Sequence, residues 1–239
     1  MKSKNHFERY YYNTYYNVYK GQNKIILHGR DLEFNLEHKM MLELLGAPKN
    51  KTIVDLGCND GTLLSRIRKK FPDNRLIGLD VSKSALRIAK LEGFECYFCD
   101  ATEKIPLKNE SADIIISTCV IAHIFETEKF LKEVSRVLKK NGCYIITTPN
   151  FNGLRDMLKY VFLGDTPTRI DHEHIRLFNP KLLTSYFKKA GLRPEVWNCY
   201  TPVLPLKVAE AFGIRRYIKT NFAKTFLSNK LVVKAVKED

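Results

Sequence analysis

The stretch Lys51–Gly61, K-T-I-V-D-L-G-C-N-D-G, constrains what this chain can fold into more than any other. A short apolar, β-branched run closes on Asp55, glycines follow at 57 and 61, and helix-favouring residues begin at Thr62. Strand, tight turn and helix therefore succeed one another. Gly57 and Gly61 permit a backbone approach that a Cβ would block, and Asn59 is one of the few other residues that tolerates positive φ. The first N–H groups of the following helix have no intrahelical partner and face whatever the turn holds. A dinucleotide fingerprint, G-x-G-x-x-G, fails, because counting from Gly57 puts Asn59 and Thr62 where glycines belong. A plain strand-turn-helix has the same local outline, so the rest of the chain decides.

Downstream, strand and helix patterns alternate. A helix from Thr62 to about Phe71 is stopped by Pro72, and R-L-I-G-L-D reads as a second strand closing on Asp80. A helix then runs to about Glu92, and F-E-C-Y-F-C-D-A reads as a third strand closing on Asp100. Almost continuously apolar, A-D-I-I-I-S-T suits a parallel strand buried on both faces. The spacing predicts a helix over Glu128–Lys140, the helix-ending pair Asn141-Gly142, and a fifth strand C-Y-I-I-T-T. Three successive strands end in an aspartate, at Asp55, Asp80 and Asp100, which points to a doubly wound α/β sheet with one shared crevice. Asp80 follows Gly61 by 19 positions, where a strand-end carboxylate can accept from a ribose diol. Capping of the helix that begins V-S-K-S is the competing role for Asp80, although Ser82 is a good cap too.

The acidic residue followed by G-x-N-x-G resembles the first motif of class I S-adenosylmethionine-dependent methyltransferases, with Asn59 in place of the middle glycine. The phrase E-V-S-R-V-L-K-K-N-G with its strand and T-P-N looks like the small-molecule branch, which includes ubiquinone-biosynthesis enzymes. The resemblance implies a mostly parallel seven-stranded sheet closed by an antiparallel C-terminal strand. It implies S-adenosylmethionine as cofactor, held at Asp55, Gly57, Cys58, Asn59 and Gly61. Asp80 and Val81 would meet the ribose, Asp100 and Ala101 the adenine. Thr118 and His123, in S-T-C-V-I-A-H-I, would lie beside the transferable methyl, His123 packing rather than moving a proton. L-R-P-E-V-W-N-C-Y and N-K-L-V-V-K-A-V-K would form the reversed hairpin that distinguishes this sheet from a dinucleotide fold.

Size allows one sizeable core: 239 residues with 44% apolar content. We expect an N-terminal helical cap over residues 1–50 and a cofactor-binding domain over 51–239, with helical insertions at about 150–178 and 200–229. In the cap, six tyrosines and Phe7 fall between His6 and Gly21, with Tyr12, Tyr15, Tyr16 and Tyr19 on one helical face, either packing surface or a pocket lid. Leu32, Leu36, Met40, Met41, Leu44 and Leu45 predict an amphipathic helix over Asp31–Leu45. In the first insertion, Asp171, His172, Glu173 and His174 are dense in proton-exchanging groups, and His172 and His174 are the candidate bases. Fastening a loop is the alternative for them. In the second, Val208, Phe212, Ile218, Phe222 and Phe226 offer an apolar stripe with five cations, a helix that packs on the domain, caps the pocket or lies on an anionic membrane.

A net charge of +14 favours an anionic partner, whether phosphorylated small molecule, nucleic acid or lipid. A small-molecule acceptor methylated on oxygen or nitrogen fits best. Against RNA stand the absence of an N-P-P-Y-like or D-P-P-Y-like segment and of any recognisable RNA-binding module. A cofactor-binding protein of the same fold without catalysis is the third reading. Scattered cysteines and a polar N-terminus suit reduced thiols in a cytoplasm. The C-x-x-C at Cys96 and Cys99 lacks the second pair a zinc site needs, and no metal is expected.

Overall fold

The computed structural model describes residues 31–151, 175–202, 217–220, 228 and 230–238, together with 153, 157–158, 161–162 and 164. Helix α1 (Asp31–Leu45) leads into β1 (Thr52–Leu56), α2 (Thr62–Lys70), β2 (Arg75–Asp80), α3 (Lys83–Leu91) and β3 (Glu95–Phe98). β4 (Ala112–Thr118), a 3-10 turn at Val120–His123, α4 (Thr127–Val137) and β5 (Leu138–Pro149) follow. The chain closes with α5 (Pro180–Lys189), β6 (Leu192–Pro202), β7 (Tyr217–Thr220) and β8 (Lys230–Lys237).

All the described strands join one sheet in the order β3-β2-β1-β4-β5-β8-β6-β7. β1 pairs in parallel with β2 on one side and β4 on the other, so the winding reverses there and opens a crevice at the carboxyl ends of both strands. β8 inserts antiparallel between β5 and β6, which gives the reversed hairpin expected from the sequence. The expected seven strands are present, and an eighth, β7, is added at the edge. It replaces the helical stripe at Ile218, because residues 217–220 pair with Cys199–Pro202 of β6 and extended pairing cannot keep a 3.6-residue face. The other stripe residues and the tyrosine-rich stretch lie outside the described residues.

Each face of the sheet carries a core. On one side Val54, Leu56, Ile115, Phe130, Leu131, Tyr144, Ile146 and Phe187 pack together, and on the other Ile53, Leu64, Ile67, Ile116, Ile145 and Val232 do. Met40, Met41 and Leu45 of α1 belong to the second cluster, so the described part of the N-terminal cap shares the domain's core. Period-two alternation also explains the C-x-x-C: Cys96 packs into one cluster and Cys99 into the other, so the two thiols lie on opposite faces.

Helix α4 ends at Val137, three residues short of the expected Lys140, and Asn141-Gly142 is not its stop. Val137 and Leu138 are both fully buried, and Leu138 is already extended and paired with Ala112. A continued helix would carry it about 100° round the axis, away from that pairing. Asn141 (φ 58) and Gly142 instead sit in a bulge before Cys143 pairs with Ile114. An added Cβ at Gly142 would stand 2.8 Å from the Lys139 carbonyl and 3.0 Å from that of Asp113.

The connection from β3 to β4 contains no helix, and side chains of α4 satisfy its backbone. Arg136 donates to the carbonyls of Ile105 (2.9 Å) and Leu107 (2.9 Å) and to Asn109 Oδ1 (2.8 Å). Glu133 accepts from Ile105 N–H (3.0 Å) and pairs with Arg136 at 2.7 Å. Arg136→Met strands these acceptors and the Glu133 charge, so urea unfolding should show a loss of roughly 2–4 kcal/mol.

Candidate functional site

The glycine turn is tied sideways before anything binds to it. Gly57 and Cys58 both donate their N–H groups to the Leu79 carbonyl (2.7 and 3.0 Å), and Cys99 N–H donates to the Asp80 carbonyl (2.9 Å). Asn59 N–H donates to Asp80 Oδ2 (2.9 Å) and Ser82 N–H to Asp80 Oδ1 (2.8 Å). The ends of β1, β2 and β3 are therefore stitched into one rim. Ser82 caps α3 through Ala85 N–H (3.3 Å), which leaves Asp80 as the rim's organising carboxylate and not the helix cap.

Positive φ at Gly57 (84°), Asn59 (53°) and Gly61 (84°) gives the turn its shape. A Cβ on Gly57 would overlap Val120 Cγ2, and one on Gly61 would stand 3.1 Å from the Phe94 ring. Asp60 Oδ1 accepts from Thr62 N–H (3.0 Å) and Thr62 Oγ1 (2.7 Å), satisfying one helix-start donor. A side chain would overlap Val120 at Gly57 and crowd Phe94 and Ala89 at Gly61, and the positive φ at both adds strain, so glycine suits each position.

Asp55 is the most deeply buried carboxylate of this rim. It is 2% exposed, and its Oδ1 has no hydrogen-bond partner among the described residues. Burial, reinforced by Asp80, Cys96 and Asp60, pushes its carboxyl well above the usual range. A buried acid with an orphaned oxygen fits a ligand that brings a donor or a positive charge. Cys58, by contrast, turns its side chain inward. A Cβ on Gly78 would stand 2.7 Å from Cys58 Sγ and 3.0 Å from Cys96 Sγ, so this residue offers the crevice only backbone.

Across the switch point, Asp100 accepts from Thr102 N–H (3.0 Å) and Thr102 Oγ1 (2.6 Å) at the end of β3, with Val81 and Ala101 half-buried beside the strand ends. Thr118 closes β4 and points its hydroxyl at Met41 Sδ (3.5 Å). His123 is half-buried on the 3-10 turn. The Ala122 carbonyl in that turn accepts from both Ile175 N–H and Arg176 N–H, each at 3.0 Å. All eleven cofactor-binding candidates from the sequence thus fall at the carboxyl ends of β1 to β4, while His172 and His174 lie outside the described residues.

The sequence reading missed a polar knot at the same edge. Glu37 of α1 pairs with Lys230 of β8 at 2.7 Å and accepts from Thr147 Oγ1 at 3.0 Å, with Cys119 alongside. The available signal was an acidic residue on the apolar stripe of α1, one turn before Met41.

A family model described as a methyltransferase domain matches residues 47–190. A ubiquinone biosynthesis O-methyltransferase of Bradyrhizobium diazoefficiens is 30% identical over 145 residues, 56% of this chain and 55% of that protein. A ubiquinone/menaquinone biosynthesis C-methyltransferase of Campylobacter jejuni is 26% identical over 135 residues, 54% of this chain and 57% of that protein. The chain thus spans just over half the length of these curated relatives. Among solved structures, an S-adenosylmethionine-dependent methyltransferase of Thermotoga maritima shares the fold with a TM-score of 0.66 at 18% identity, covering 96% of this chain and all of that one.

Two outcomes follow from the geometry. Asp55 has a raised folded-state pKa, so the ligand-free fold loses stability as pH climbs from the unfolded value near 3.8 through the folded one. Asp55→Asn removes that cost: its thermal midpoint should exceed wild type at neutral pH, with the gap closing as pH falls through the raised folded-state pKa and gone below about 3.8. Gly57→Ala should cost more than about 1 kcal/mol in chemical unfolding, from positive φ and the Val120 overlap together.

Proposed function

The chain belongs to the methyltransferase-domain family, a class that uses S-adenosylmethionine, and on that premise we propose that it methylates an oxygen or nitrogen of a small-molecule acceptor. The observation that carries the reading is the stitched rim of Asp55, the glycine turn, Asp80 and Asp100 at the topological switch point. When bound, the cofactor supplies an activated methyl on a sulfonium centre, so the protein's share is alignment, exclusion of water and removal of one proton.

Each residue's part follows from its chemistry. Asp55, costly to ionise alone, accepts from the amino-acid end of the cofactor and is favoured as a carboxylate by its positive charge. Asp80, held in place by Asn59 and Ser82, accepts from the ribose hydroxyls. Asp100 and Ala101 meet the adenine edge, and Thr118 and His123 wall the methyl-transfer end. His172 or His174 takes the acceptor's proton. Supporting that assignment, Ile175, next in the chain to His174, is fastened to Ala122 beside His123.

The acceptor atom is the finer part of the proposal. Relatives named for oxygen and for carbon methylation are both similar to this chain, and the family alone does not choose between them. The charge of +14 favours an anionic acceptor and keeps RNA as the competing substrate. No helix among the described residues is long and apolar enough to cross a membrane. Packing on the domain, capping of the pocket and peripheral contact with an anionic surface all stay open for the basic segment near residues 200–229.

Calorimetry should detect S-adenosylmethionine and its demethylated product, with Asp80→Ala weakening both by roughly 10- to 100-fold, the worth of charge-assisted hydrogen bonds. Silence toward both ligands on folded protein would sink the reading. Incubation with labelled cofactor should mark a small metabolite in a cell extract; label in RNA, with steep salt dependence, would promote the rival. Replacing His172 and His174 in turn should lower turnover about 100-fold at one of them with cofactor affinity unchanged. Losses below about threefold at both would remove the base assignment.

A further inference from the structure

The polar knot surrounds a thiol at a chemically dangerous place. Cys119 leaves β4 in a left-handed conformation (φ 58), next to Thr118, where the reading above puts the transferable methyl. Its Sγ lies 3.2 Å from Lys230 Nζ, 3.9 Å from Glu37 Oε2 and 3.6 Å from Thr147 Oγ1. A thiolate outcompetes hydroxyl and amine acceptors for an alkyl group, so an ionised Cys119 would divert the methyl to the protein itself.

Lys230 alone would encourage that ionisation, since an adjacent ammonium favours the thiolate. Glu37 opposes it. α1 brings its carboxylate, 3% exposed, to 2.7 Å from the ammonium, with the second oxygen turned toward Thr147 and the sulfur. Among the described residues, the groups facing Cys119 are thus an anion from α1, a cation from β8 and an uncharged hydroxyl from β5.

We propose that Glu37 is an electrostatic guard: it cancels the Lys230 charge and keeps Cys119 a protonated thiol, so the methyl goes to the bound acceptor. Burial and Glu37 raise the Cys119 thiol above its ordinary range, while Lys230 pulls the other way. This inference rests on the cofactor placement proposed above. An ion pair that merely pinned α1 to β8 would alter stability when broken and leave the sulfur's chemistry alone.

The step that the guard prevents is balanced. Cys119 gives its proton to solvent, and the thiolate attacks the methyl carbon. The bond from that carbon to the sulfonium breaks with its electron pair going to the cofactor's sulfur. The products are S-methylcysteine at 119 and S-adenosylhomocysteine.

Alkylation of Cys119 by iodoacetamide, followed across pH on the Cys119 peptide by mass spectrometry without cofactor, tests the electrostatics. The wild-type half-point should lie above that of a free cysteine, about 8.5. E37Q should lower it and speed alkylation near neutral pH at least about tenfold, the effect of one unit of thiol pKa. The double variant E37Q/K230M should return to within about threefold of wild type. With S-adenosylmethionine added, the E37Q peptide should gain one methyl at Cys119 and the wild-type peptide none. A wild-type half-point at or below the free value, which needs no variant to fold, overturns the guard, and so does an unchanged rate in E37Q. Faster alkylation without methylation, in E37Q shown by calorimetry to bind cofactor, overturns the placement of Cys119 at the methyl. If wild type binds no cofactor, the methyltransferase reading falls, while the thiol titration still decides whether Glu37 guards the sulfur.

Discussion

The crevice depends on hydrogen bonds that run across strand ends, beyond the regular ladder. Leu79 O takes two donors from the glycine turn, and Asp80 takes Asn59 and Ser82 on its carboxylate and Cys99 on its carbonyl. A turn with three positive-φ residues would have many accessible shapes in isolation; these sideways bonds select one of them. Because the bonds originate on the neighbouring strand, the turn's shape is a property of the sheet, and it is set before any ligand arrives.

Buried charge is the second organising theme, and it is handled in two ways. Asp55 carries an orphaned oxygen and a raised pKa, a cost that a cationic ligand would offset. Buried Glu37 meets the charge of the half-buried Lys230 at 2.7 Å, joining a helix near one end of the chain to a strand near the other. The first arrangement leaves an acceptor open among the described residues, which is where the proposed cofactor would place its positive charge. The second is complete and shapes the chemistry of its neighbour, Cys119.

The β-α alternation from Thr52 to Thr147 was legible because parallel strands buried on both faces read as unbroken apolar runs and punctuating glycines and prolines separate them. The strand-end aspartates were legible for the same reason, each closing such a run. Local rules misplaced the end of α4, where Asn141-Gly142 looks like a helix stop yet sits in a strand bulge. There, tertiary burial of Val137 and Leu138 overrode the turn chemistry. The stripe at Ile218 misled likewise, since a few apolar residues at helical spacing cannot reveal an edge strand whose partner is β6.

The sequence by itself determined the class of fold, the order along the chain of every described strand but β7, and the identity of the residues at the rim, because those depend on short-range pattern and spacing. Only the tertiary structure decided that Cys58 faces inward, that Asp55 keeps an unpartnered oxygen, and that Glu37 meets Lys230 across 193 positions of chain. The physical reason is reach. Pattern along a chain records which face of an element is apolar, whereas the field at a buried group is set by charges that arrive from elements remote in sequence.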